Sequence, residues 1–220
     1  KINKEKLTIV VILYNHSRYL KKITHDLSKQ TINNFNIIFS DDNSKDDTLE
    51  KLENILKSDF WKNKILAEQL SVHNSNSNRG IIDHFNYILS IVKTEYIFMI
   101  SGDDRIHPKF CEIMYPNLKK PYTCITPNQF RINNQDKIIG KSSFKQINCF
   151  SLEKIIKEDN FGIPSAGSIY ALEPLKKYGA LNCKLSNEDD QFLFRSILNG
   201  KRLIIDDYIF YYRVHFNSAS

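Results

Sequence analysis

Apolar and polar positions follow two rhythms over the first hundred residues. Leu7–Leu13 (LTIVVIL) is an unbroken apolar, β-branched run of the kind that forms a strand covered on both faces. Residues 36–40 and 96–100 carry the same signature, and a weaker one spans 65–72. Between these runs the apolar positions recur at helical spacing. Leu20, Ile23, Thr24 and Leu27 mark one helix, with Ser17 as its expected N-cap. Residues 46–56 mark a second, with Leu49, Leu52, Ile55 and Leu56 facing inward, and 81–92 a third, opened by a turn at Gly80 after the polar run 73–79. Strand and helix in repeated alternation predict an α/β fold with a mostly parallel central sheet and helices on both faces.

Beyond Pro121 the rhythm loosens. Strands are expected at 122–126, 138–140 and 203–205, short helices at 151–158 and 173–178, a longer helix at 188–198, and an extended segment at 208–214. No repeat or linker divides the chain, and 220 residues suit one domain, 1–220. Its first half, about 1–104, carries the regular alternation, and about 105–220 completes the sheet and adds a second binding wall.

Apolar residues make up 41% and charged residues 25%, a balance that excludes extensive disorder. No apolar run approaches the ~18 residues needed to cross a bilayer, so an integral membrane protein is not expected. Cys111, Cys124, Cys149 and Cys183 lie far apart without a Cys-x-x-Cys pair, which predicts free thiols in a reducing cytoplasm. The formal charge of +6 favours phosphorylated ligands or peripheral contact with anionic phospholipid at the inner membrane surface. The dispersed basic residues form no nucleic-acid module, so no nucleic acid is expected as partner.

The chemistry concentrates at strand ends. Asp103 and Asp104 follow the run 96–100 and the small pair Ser101-Gly102, so two carboxylates emerge where a buried strand reaches the surface. Side by side they repel, unless a cation or hydrogen-bond donors offset the charge. Tyr14-Asn15 follows the first strand, and Asp41-Asp42-Asn43-Ser44 the second. In an open parallel sheet these carboxyl ends open into one crevice. A nucleotide there needs an acceptor for its base edge, a polar group for ribose and a cation for its diphosphate.

The stretch TIVVILYNHSRYLKKITHDLSKQTINNFNIIFSDDNSKDDT resembles the opening of glycosyltransferase family 2, and the likeness continues through Asn78-Arg79-Gly80, Asp103-Asp104, Glu188-Asp189 with Arg195, and Tyr212-Arg213-Val214-His215. The resemblance implies the GT-A fold, with a Rossmann-like nucleotide-binding half and an acceptor-binding half. It implies transfer of a sugar, with inversion, from a nucleotide diphosphate sugar, the donor substrate, with uridine the commonest base. By this likeness Asp42 pairs with the base, Tyr14 and Asn15 flank it, and Asn78 and Gly80 shape the pocket. Asp103 lies by the ribose and metal, and Asp104 ligates a divalent metal, Mn2+ or Mg2+. Where many members carry a further Asp, this chain has Ser101.

Inversion by direct displacement requires a base that takes the acceptor's hydroxyl proton. The resemblance assigns this to Asp189, with Asp190 as substitute and Glu188 orienting the acceptor. His215 resembles a histidine that approaches the metal, and Arg213 is either a diphosphate contact or a solvated strand residue. Residues 161–168 resemble the segment lining the sugar and acceptor cleft. Trp61 is expected to pack at the surface after the second helix, and His16, His25, His73, His84 and His107 show no ligand spacing. The acceptor implied is a glycan or lipid-linked glycan in the making of a bacterial cell-surface polysaccharide such as capsule or O-antigen. A sugar nucleotidyltransferase is disfavoured because Tyr14-Asn15-His16-Ser17 is not its Gly-rich basic loop. A non-catalytic glycan-binding or assembly subunit is disfavoured by the presence of Asp104 and Asp189.

Overall fold

The computed structural model describes residues 5–58, 61, 69–142, 148–150, 153, 165–182, 184 and 188–214. In chain order the elements are β1 (Leu7–Leu13), α1 (Leu20–Ser28), β2 (Asn36–Asp41), α2 (Thr48–Leu56), β3 (Leu70–Asn74), α3 (Ile81–Ile91), β4 (Tyr96–Ser101), β5 (Arg105–Ile106) and α4 (Phe110–Met114). There follow β6 (Tyr122–Ile132), β7 (Ile138–Lys141), β8 (Asn148–Phe150), β9 (Ile169–Ala171), α5 (Leu172–Lys177), α6 (Glu188–Ile197) and β10 (Lys201–Arg213).

The strands form one curled sheet in the order β3-β2-β1-β4-β9-β6-β10-β5, with β7 added to β6 and β8 to β10. The strands β3, β2, β1 and β4 are parallel, and β9 runs antiparallel to both β4 and β6. β10 runs parallel to β6. The reversal at β9 is what keeps β6 pointing the same way as β4, so the carboxyl end of β6 and the loop leading into β9 lie on the same edge as the ends of β1, β2 and β4.

Continuous apolar runs are explained by burial on both faces. On one face Leu7, Ile9, Val11 and Leu13 pack with Leu20, Ile23 and Leu27 of α1, and with Phe98 and Phe110. On the other, Val10 and Ile97 pack with Phe85 and Ile88 of α3, Leu175 of α5 and Phe192 of α6.

Several local expectations change. Ser17 does not cap α1: Tyr19 occupies the N-cap without a side-chain cap bond, and the Ser17 amide instead donates to Asp46 Oδ2 at 3.2 Å. The second helix starts at Thr48, because Asp46 accepts from the Thr48 amide at 3.0 Å and its hydroxyl at 2.5 Å, outside the helix. Trp61 is not at the surface. It is 3% exposed and meets Phe39 edge to face, closing the apolar layer beside α2. The strand expected at 203–205 and the segment at 208–214 are one strand, β10, broken in register between Ile205 and Tyr208 by an irregularity that single-strand periodicity does not reveal. The strand expected at 65–72 is observed as Leu70–Asn74, with 65–68 outside the described residues, as is most of the helix expected at 151–158.

Gly102 shows how tightly the carboxyl-end edge of the sheet is packed. A Cβ there would stand 2.5 Å from Leu13 Cδ2 and 2.8 Å from His16 Nδ1, so the ends of β1 and β4 approach as closely as they do only because this side chain is absent. Gly102→Ala is expected to cost about 1–3 kcal/mol of stability through overpacking, read as a lowered midpoint in urea unfolding.

Candidate active site

The register aligns the strand ends. Leu13 lies opposite Asp41, and Ile12 opposite Ser101, on neighbouring strands about 4.8 Å apart. Past these positions the Asp42 amide donates to Leu13 O and the Gly102 amide to Ile12 O, each at 2.9 Å, so the loops leave the sheet side by side.

Asp42 is 4% exposed and anchors the first of these loops. Its Oδ1 accepts from the Arg79 amide at 2.9 Å and its Oδ2 from the Gly80 amide at 3.1 Å. Gly80, with φ of 76°, is the N-cap of α3, and Asn78 Oδ1 also accepts from its amide at 2.8 Å. The carboxylate therefore sits at a helix N-terminus, where backbone donors and the helix dipole favour negative charge. Asn15, at φ of 57°, donates its backbone amide to Ser44 Oγ at 2.9 Å and accepts at its Oδ1 from the Lys45 amide at 2.7 Å. These two bonds latch the first strand-end loop to the second. Tyr14 is left 42% exposed beside them, free to lie against a planar base.

Asp103 and Asp104 are 8% and 5% exposed. Ser101, in the place of a further acid, donates its hydroxyl to Asp103 Oδ1. Asp104 Oδ1 accepts from the Arg213 amide at 2.8 Å, and its other oxygen has no hydrogen bond among the described residues. Burial, reinforced by the neighbouring charge of Asp103, pushes the Asp104 carboxyl well above the ordinary carboxylate range. Arg213 is 1% exposed, so it is not a solvated strand residue. Its Nε donates to Asp103 O at 2.6 Å, its Nη1 to Asn133 O and its Nη2 to Asp136 Oδ1, while the guanidinium lies over the Tyr19 ring.

The acids behind this arginine were not among the residues expected at the site. Asp136, in a turn with φ of 63°, also pairs with Lys22 and with Arg105, and Asp26 takes Arg105 through Nε at 2.9 Å and Nη2 at 2.7 Å. Asp26 carried a readable signal: it lies between inward positions of α1, and an acid buried beside an apolar stripe requires a partner.

Asp189 lies in the first turn of α6, at the edge reached by the loop entering β9. The residue keeps an exposed surface, but desolvation of its carboxyl, with the charge of Asp190 adding to it, raises it above the usual range against a hydrogen bond from Ser165 and the positive charge of Arg202. The structure thus brings Tyr14, Asn15, Asp42, Asn78 and Gly80 together and joins Asp103 and Asp104 to Arg213, while Asp189 stands in the first turn of α6 beside Ser165 of the loop before β9. His215 and residues 161–164 lie outside the described residues.

A curled sheet with these connections is the GT-A fold. The structure aligns with Staphylococcus aureus TarS 1–349 in complex with UDP-GlcNAc at a TM-score of 0.76 and 20% identity, covering 97% of this chain and 60% of that one. The model of the family described as Glycosyl transferase family 2 matches residues 8–179, and the chain belongs to that family. Among curated relatives it is 27% identical over 133 residues to glycosyltransferase GlyG of Streptococcus pneumoniae, covering 60% of this chain and 42% of that protein. It is 25% identical over 223 residues to the poly(ribitol-phosphate) beta-N-acetylglucosaminyltransferase TarP of Staphylococcus aureus, covering 94% and 62%. The chain therefore spans roughly two fifths to three fifths of the length of these relatives.

The donor chemistry at Asp103 and Asp104 suits a hard divalent cation: buried oxygens, excess negative charge and one free carboxylate oxygen. Among the described residues no third His, Cys, Asp or Glu joins them. A carboxyl raised by folding is stabilised by protonation, so the folded state loses stability as pH climbs from the unfolded to the folded pKa of Asp104. Asp104→Asn is expected to raise the melting temperature in EDTA at neutral pH, by roughly 2–4 °C for each kcal/mol of relieved charge, with the gap closing as pH falls. Adding Mn2+ should then raise the melting point of the parent protein and leave that of the variant unmoved.

Proposed function

We propose that this chain is an inverting, metal-dependent glycosyltransferase that moves a sugar from a nucleotide diphosphate sugar, with uridine as the base, to a hydroxyl of a glycan or lipid-linked glycan. One observation carries the proposal. Asp42 follows β2 and the pair Asp103 and Asp104 follows β4 on the same side of the sheet, and Asp189, in the first turn of α6, is hydrogen-bonded by Ser165 before β9, which supports one cleft serving all of them. UDP-GlcNAc bound to the structurally similar TarS supports the donor class, and the polymeric acceptor in the name of TarP supports a glycan-type acceptor.

In this reading the backbone and side chain at Asp42, with Tyr14 and Asn15, hold the base, and Asn78 and Gly80 fix the loop that carries it. Asp103 faces the ribose. Asp104, with Asp103, His215 and water completing the set, would hold Mn2+ or Mg2+, which when bound offsets the charge gathering on the departing diphosphate. Arg213 spends its guanidinium on Asp103, Asn133 and Asp136, so its part is to seat the carboxylate pair and leave one Asp104 oxygen open.

Asp189 takes the proton from the acceptor hydroxyl as that oxygen attacks the anomeric carbon. The new bond forms on the face opposite the breaking bond to the diphosphate oxygen, which leaves with the electron pair. A carboxylate raised above its ordinary range by desolvation is a better proton acceptor than one at that range. Among the described residues no helix is long and apolar enough to cross a membrane, and the +6 charge supports peripheral work at the cytoplasmic face, on an acceptor destined for the cell surface.

The test is a panel of nucleotide sugars with Mn2+, read by nucleotide release and product formation. Asp189→Asn is expected to lower kcat by about 10²–10⁴-fold while nucleotide binding, followed by thermal shift, stays at the parent level. The parent's log kcat/KM should climb with pH through the Asp189 ionisation, at a pH above that of an ordinary carboxylate. Full turnover by Asp189→Asn would remove this residue from the base role. Nucleotide binding without turnover on any donor would favour the glycan-binding subunit instead.

A further inference from the structure

Among the described residues, the carboxylate that pairs with the Arg213 guanidinium is Asp136, not Asp103 or Asp104 beside it. The Arg213 amide donates to Asp104 Oδ1 at 2.8 Å and its Nε to the Asp103 carbonyl at 2.6 Å, so the side chain begins against the pair. Its terminal nitrogens then turn away, Nη1 to Asn133 O and Nη2 to Asp136 Oδ1. Arg213, Asp103 and Asp104 are all buried. A buried guanidinium next to two buried carboxylates is their obvious counter-ion, and a two-bonded pair with one of them would be the strong arrangement. The chain avoids it, and one Asp104 oxygen stays open.

The turn between β6 and β7 is shaped to receive that guanidinium. Arg213 lies opposite Ile132, the last residue of β6, so the turn starts at its side. Asn133 sets the turn: its Oδ1 accepts from the amides of Gln135 at 2.9 Å and Lys137 at 3.0 Å, and its carbonyl from the Asp136 amide at 3.0 Å. These bonds hold Asp136 at a φ of 63°, a left-handed conformation that Asp adopts more readily than most residues. Tyr19 adds a further wall, with its ring centroid 4.8 Å from Arg213 Cζ and its hydroxyl donating to Asn134 Oδ1 at 3.2 Å. The second Asp136 oxygen accepts from Lys22 Nζ at 2.5 Å and Arg105 Nη1 at 3.1 Å, and Asp26 holds Arg105 in turn. Desolvation acts to raise the Asp136 carboxyl, but hydrogen bonds and charge from Lys22 and Arg213 prevail and keep it below the ordinary range.

We propose that Asp136 is a positioning residue for the cation site: it holds the Arg213 guanidinium off Asp103 and Asp104, so that a divalent cation rather than an arginine neutralises the pair. This rests on the metal-dependent reading of that pair. Guanidinium and cation compete for the same open Asp104 oxygen. An uncharged side chain at 136 would leave Arg213 buried without a counter-ion, and the negative charges beside it are then those of the pair. Turning its terminal torsions toward Asp104 would satisfy both groups and fill the position that a cation needs. Lys22 and Arg105 also meet Asp136, but on its other oxygen, so neither displaces Arg213.

The test titrates Mn2+ into the protein, with and without UDP, and follows the free ion by electron paramagnetic resonance in the parent, Asp136→Asn, Arg213→Met and the double variant. Asp136→Asn is expected to bind Mn2+ about 10–100-fold more weakly than the parent, as when a group that orients a metal ligand is lost. Adding Arg213→Met removes the competing guanidinium and should recover much of that loss, because the amide that seats Asp104 belongs to the backbone. A role in the framework alone would make the two losses add. If Asp136→Asn does not fold, the double variant, which buries no unpaired guanidinium, is compared with Arg213→Met: equal affinities support the inference, and a further loss overturns it. Parent-level affinity in Asp136→Asn, or additive losses, would overturn it while the metal reading stands. A parent that binds no Mn2+ under either condition would overturn both.

Discussion

Two adjacent carboxylates withdrawn from water are the constraint around which this molecule is arranged. Burial raises the cost of ionising Asp104, and the neighbouring charge of Asp103 adds to it. The chain answers with backbone and a guanidinium rather than with a nearby lysine. The Arg213 amide takes one Asp104 oxygen, while its side chain reaches past to the Asp103 carbonyl and on to Asp136. Asp136 is shared with Lys22 and Arg105, and Arg105 is tied to Asp26 in α1. The negative pair is thus the inner end of a network of alternating charges that reaches the first helix. Such a network fixes geometry more than it adds stability, since each buried ion in it carries its own desolvation cost.

Three carboxylates along one edge sit in three different environments. Asp42 receives two backbone amides at a helix start, Asp104 one amide and a repelling neighbour, and Asp189 a serine, a distant arginine and partial burial. Chemically identical groups placed in unlike surroundings can take unlike tasks. A carboxylate held by two amides is a fixed acceptor, one with an open oxygen and excess charge suits a cation, and one raised above its ordinary range suits proton transfer.

Much of this was legible in the chain because the parallel half follows local rules. The runs at Leu7–Leu13, 36–40 and 96–100 had to be strands, and the acids after them had to emerge at the same edge. The ends of elements were less legible. Ser17 reads as a cap, but Asp46, distant in sequence, claims its amide, and Asp46 itself delays the second helix to Thr48. Trp61 reads as a surface residue because nothing local announces Phe39 beneath it. Arg213 and Arg202 were the least legible, since an arginine in a strand looks solvated unless its buried partners, Asp136 and Thr126, are already known to lie nearby.

Those two arginines share a strand, and that fact gives the late part of the sheet its purpose. At one end of β10, Arg202 sits under α6 in the rung with Cys124 and Tyr170; at the other, Arg213 lies against Asp103 and Asp104. Along its whole length β10 pairs with β6; on its other side the first half pairs with β8, and past the register shift between Ile205 and Tyr208 the second half pairs with β5, directly after Asp104. One element thus carries both buried guanidiniums. An insertion at that shift would preserve every side chain named so far, yet displace Arg213 from the carboxylate pair while leaving Arg202 in its rung.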